Sequence, residues 1–197
     1  MVKALMRRID QTSWLVLLGV LFAVFLGLVA FTRWAFSRSG PWIAASQDVS
    51  PLPEERLGFF ASEPGASFAL METAGPAYLA WQSVDLVYVA LNVAFMLLAL
   101  LVFFKRFSTF RSLAAVLLNV PLIYGVAEIV ENACLSALFR AGAPFDGPLV
   151  AVQQSATSIK LAAGFVGFTA AGLLLLLTLG WSALRLLTPG KHTSPRL

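Results

Sequence analysis

Four stretches of about twenty or more mostly apolar residues limit what this chain can become, since a hydrocarbon layer about 30 Å thick takes roughly that many residues per crossing helix. Inside lipid every backbone N–H and C=O needs an internal partner, so such stretches must be helical. Composition agrees: the 197 residues are 59% hydrophobic and only 12% charged, and the mean hydropathy is +0.83. The expected fold is all-α, an integral membrane four-helix bundle forming one domain over residues 1–197. Its spans are expected at about 14–34, 77–104, 112–139 and 149–187.

Local residues set these limits. Asp10, Thr12 and Ser13 suit a helix start before Trp14, and Arg33 and Trp34 suit an interface at its end. Lys3, Arg7 and Arg8 precede this span like a signal-peptide leader. Its apolar run is longer than a signal core, however, and no small-residue cleavage site follows, so a retained helix is expected. Residues 37–75 are rich in Pro, Gly, Ser and acids and read as one long loop, in which Leu57 to Phe60 and Phe68 to Met71 can lie on the membrane or cover the bundle. Gly75-Pro76 is expected to open the second span, which Lys105-Arg106 close. Pro121 and Gly125 are expected to kink the third, and Pro148 opens the fourth. Residues 188–197 form a polar tail.

Lys3, Arg7, Arg8, Lys105, Arg106, Arg111, Arg185, Lys191 and Arg196 all fall on one side of this plan. Basic residues in short flanks mark the cytoplasmic side, so both termini are expected inside, with the cell membrane, as in a bacterial inner membrane, as the location. The net charge of +4 therefore reports topology, and no nucleic-acid partner is expected.

The single His192 and single Cys134 leave structural zinc, haem attachment and an internal disulfide without ligands, no phosphate-binding loop is present, and no Ser-His pair lies within the membrane. Neither metal nor cofactor is expected. Cys134 reads as a small buried apolar residue.

The chemistry lies in charges placed inside the spans: Asp85 in the second, Glu128 and Glu131 in the third, Lys160 in the fourth. Each costs about 2.5–3.5 kcal/mol at mid-helix even on the most lenient scale, so the four should face one another. Helical spacing puts Tyr78, Trp81, Gln82, Tyr88 and Asn92 on the stripe of Asp85, and Tyr124 and Asn132 on that of the two glutamates. Gln153, Thr157, Gly164 and Gly167 share the stripe of Lys160, beside a seam of Ala156, Ala163 and Ala171 that permits close helix approach. At about 1.5 Å per residue, all four charges lie roughly 12–18 Å below the ends of their helices, in one layer. Three carboxyls against one ammonium repel one another too strongly for all three to be ionised together.

Glu128, Glu131, Lys160 and Asp85 are therefore the expected catalytic groups. Tyr88, Asn92, Tyr124, Asn132, Gln153, Thr157 and Gln82 are expected to bind a small or lipophilic substrate in an outward-opening cavity, for acid–base chemistry or proton-linked transport. Polar residues also glue helices together, so the competing expectation is a non-catalytic membrane subunit whose layer specifies packing or partner docking. Expected partners are membrane lipid, a lipophilic small molecule, and a membrane protein or second copy.

Overall fold

The computed structural model describes residues 2–38, 64–141 and 147–187, and each described element is helical. Residues 39–63, which hold Leu57 to Phe60 and most of the acidic loop, lie outside the described residues, as does the tail 188–197.

Helix α1, Val2–Gln11, occupies the segment that reads as a basic leader. It buries Met6 and Ile9 against the bundle and exposes Arg7, Arg8 and Asp10. Its last carbonyls have no helical partner, and the Lys105 ammonium supplies one: Nζ donates to Ile9 O (2.9 Å), Asp10 O (3.1 Å) and Thr12 O (2.7 Å). The Arg111 guanidinium grips both carboxylate oxygens of Asp10.

Helix α2 runs Trp14–Arg38, somewhat past the expected end. Leu17 and Leu21 are buried, whereas Leu15 and Phe22 are exposed, so most of its surface is left for lipid. It packs antiparallel to α3, Pro64–Arg106, with Phe25 and Phe95 rings 6.1 Å apart.

The start of α3 corrects the expected loop. Residues 64–75 are helical, Phe68 to Met71 among them, and the helix continues through Gly75-Pro76 instead of opening there. The reason is local. Pro64 suits a first helical position, Ala66, Ala69, Leu70, Met71 and Glu72 favour helix, and Pro76 removes only the one bond to the Glu72 carbonyl.

The third span is broken near its basic end. A 3-10 turn, Ser108–Leu113, leads to α4, Ala114–Leu117, and α5, Asn119–Ala141. The interruption falls at Leu118, just before Pro121, whose ring nitrogen cannot bond the Leu117 carbonyl. Gly125 does not interrupt α5: it admits Val93, whose Cγ2 stands 2.8 Å from where a Cβ would be. Helix α6, Pro148–Leu187, is the last among the described residues.

Among the described residues four helical segments are thus long and apolar enough to cross a membrane: Trp14–Ala35, Val84–Arg106, Ser108–Ala141 and Pro148–Arg185. Glycine contacts give the register of the three inner ones. Tyr124 packs on Gly164 and Val120 on Gly167, so α5 and α6 are antiparallel, while Met96 of α3 also reaches Gly167. Toward the basic end the core is continuous and apolar, built from Met96, Leu100, Phe104, Leu118 and Ala171.

Candidate functional site

Asp85, Glu128, Glu131 and Lys160 all lie buried where α3, α5 and α6 meet. Each helix delivers its charge for the reason the spacing gives: the residue sits on the stripe facing its neighbours, and the opposite face is lipid-facing apolar surface, such as Val126, Ile129 and Val130 on α5.

Lys160 is the hinge of the cluster. Its Nζ stands 2.5 Å from Glu131 Oε2 and 3.7 Å from Glu128 Oε1, so two carboxyls one helical turn apart share one ammonium. Glu131 is fully buried, and the Thr157 hydroxyl donates to its second oxygen. Thr157, also fully buried, in turn accepts from Gln153 Nε2 at 2.8 Å, which fixes the orientation of that amide. Across the interface with α3, Asn132 Nδ2 donates to Asp85 Oδ2 at 2.7 Å. Seven of the expected residues therefore meet in two adjoining sets: Lys160, Glu128, Glu131, Thr157 and Gln153 in one, Asp85 and Asn132 in the other.

The remaining residues take other places. Tyr124 is buried with its ring against Gly164 and edge-on to Phe168, centroids 5.8 Å apart. Asn92 is buried, but its amide turns back to the Tyr88 carbonyl at 3.0 Å, on its own helix. Tyr88 and Trp81 are half-buried, and the Tyr78 side chain lies outside the described residues. Cys134 is buried, as its reading required. Gln82, one turn beyond Asp85, is buried, and its Oε1 has no donor among the described residues. Glu128 Oε2 and Gln153 Oε1 are in the same condition.

The chain matches no protein-family model, no curated protein and no solved structure. Its chemistry has to be read from the side chains alone.

The layer's side chains meet one another through these contacts. Three grooves on the described surface are apolar and lie elsewhere. One of about 820 Å³ runs between α5 and α6, with Ile123, Val126, Ala127, Ala156 and Ile159 among its walls. A second of about 770 Å³ lies near Phe107 and Trp181, and a third of about 400 Å³ lies between α2, Phe95 and α6. Among the described residues no cluster of His, Cys, Asp or Glu is arranged to hold a metal ion. Pairing within the layer is the one feature that periodicity could not supply: it shows which residues share a face, but not that Glu131 takes the short contact with Lys160 while Glu128 stands farther off.

Proposed function

We propose that this chain is a multi-pass membrane protein in which Glu131, Glu128 and Lys160 exchange a proton while a small or lipophilic substrate is handled within the membrane, as in an intramembrane acid–base catalyst or a proton-linked carrier. The observation that carries this reading is the sharing of one buried ammonium by two carboxyls, at 2.5 Å and 3.7 Å. Moving Lys160 from one carboxyl toward the other leaves the first exposed to protonation, which links proton binding to a small motion of α6 against α5. Asp85, held by Asn132, adds a third carboxyl to the same layer and increases the pull on any incoming proton. In this reading the basic end of the bundle faces the cytoplasm.

The packing-subunit reading has one observation in its favour, namely that Gln153, Thr157 and Glu131 are joined in a hydrogen-bonded chain that ties α6 to α5. Infrared difference spectra of the protein in lipid vesicles, taken between acid and alkaline pH, separate the two. The proton reading expects a carboxyl C=O band in the parent that changes in Glu128→Gln or Glu131→Gln. A parent spectrum with no titrating carboxyl beyond those of the surface leaves only the packing role.

A further inference from the structure

On the far side of the layer from the basic end two buried amide oxygens lack partners, whereas the buried polar side chains just on the basic side of the layer close onto their own helices. Gln82 Oε1 and Gln153 Oε1 lie on that far side and Glu128 Oε2 at the level of Lys160; each is buried without a donor among the described residues, and all three are acceptors. Leaving such an atom dry forfeits its hydration with nothing in return, so three together call for donors. Gln153 stands seven residues beyond Lys160 on α6, about 10 Å nearer the Pro148 end. It is already joined to the pair through Thr157 and Glu131.

Toward the basic end the pattern reverses. Buried Asn92 and Thr178 close onto their own helices, at Tyr88 O (3.0 Å) and Leu174 O (2.7 Å). Between them the Tyr124 ring presses on Gly164 and Met96 on Gly167, and Leu100, Phe104, Leu118 and Ala171 fill the space beyond.

We propose that Gln82 and Gln153 mark a water-carried proton route joining the Glu131–Lys160 pair to the end of the bundle where Pro148 opens α6, with the basic end closed. The inference rests on the proton-exchange reading and adds a side to it. Water supplies both the donors that the three acceptors require and the hydronium that delivers the proton. A hydronium O–H bond breaks, an O–H bond forms on a carboxyl oxygen, water is left behind, and the layer loses one negative charge. The titratable groups facing Glu131 in this step are Lys160 from α6 and Glu128, Tyr124 and Cys134 on its own helix, and Asp85 of α3 faces Glu128.

The test uses the full chain in lipid vesicles with a lipophilic carbodiimide, which modifies protonated carboxyls, and mass spectrometry of the peptide bearing Glu128 and Glu131. Orientation is scored by protease access to Lys191, and pH is set separately on the two sides. Modification is expected to follow the pH at the Pro148 end and to ignore the basic end, and Gln82→Leu is expected to slow that response several-fold. Modification that follows the basic end, or both ends equally, overturns the route while leaving proton exchange intact. Modification indifferent to pH on either side overturns the route and the proton reading together. Because the sided measurement is made on the parent, a variant that fails to fold does not blunt it.

Discussion

At the scale of single residues the layer is a set of buried obligations, and the cost of breaking each depends on what is left behind. Replacing Asn132 with Leu leaves Asp85 Oδ2 without its donor, so a loss of about 1–3 kcal/mol is expected. Adding Asp85→Leu should recover most of it, because removing both partners leaves no orphan. Thermal unfolding in detergent of the two single variants and the double checks this. Failure of the second substitution to recover stability would mean that Asp85 has other essential partners. These residues were legible in the sequence because a charge in a span is costly enough to force its direction, which is why Asp85, Glu128, Glu131 and Lys160 could be placed from spacing. Asn92 was less legible. It lies on the same stripe as Asp85, but a short amide can satisfy itself on the carbonyl four residues back, and the period cannot distinguish the two outcomes.

At the scale of elements the glycines decide how closely the helices pack. A methyl at Gly125 would meet the stiff, branched Val93 at 2.8 Å, and one at Gly164 the Tyr124 ring at 3.2 Å. Gly125→Ala is therefore expected to cost about 1–3 kcal/mol through overpacking. Gly19, Gly172 and Gly180 have open space around them, so Ala there should be neutral or stabilising by about 0.5–1 kcal/mol, through helix propensity. Melting temperatures of the four variants test the contrast, which disappears if α3 and α5 are not in this register. The N-terminal staple is a second element-scale device. Lys105→Met removes the cation from the last carbonyls of α1 and should cost about 1–2 kcal/mol, with faster amide exchange confined to α1 and the α1–α2 turn. Uniform exchange across the bundle would contradict that role. Neither α1 nor the early start of α3 was legible: α1 is short and shares its basic residues with leader sequences, and Pro76 is a break signal that a long apolar helix tolerates at the loss of one bond.

At the scale of the whole molecule, three helices surround the polar layer and α2 stands against them with most of its apolar surface outward. The four-span pattern was legible because lipid thickness fixes helix length, while the order of contacts was not, because apolar faces specify partners only through shape. Reporters near Lys105 and after Leu197 are expected on the cytoplasmic side and one near Gly65 on the opposite side; a cytoplasmic signal at Gly65 would refute this topology. Glu131 and Lys160 tie α5 to α6 through a buried ion pair, and a double-mutant cycle with Glu131→Gln and Lys160→Met, read as stability in detergent, measures that tie. Lys160→Met should be the costlier single change, at about 3 kcal/mol or more, because among the described residues it strips the short-range cation from both Glu131 and Glu128, whereas Glu131→Gln leaves Lys160 with Glu128. The double variant is expected to be more stable than the sum of the two losses, by a coupling of about 0.5–3 kcal/mol. Strict additivity would show that the two side chains do not meet, and the layer would lose its centre.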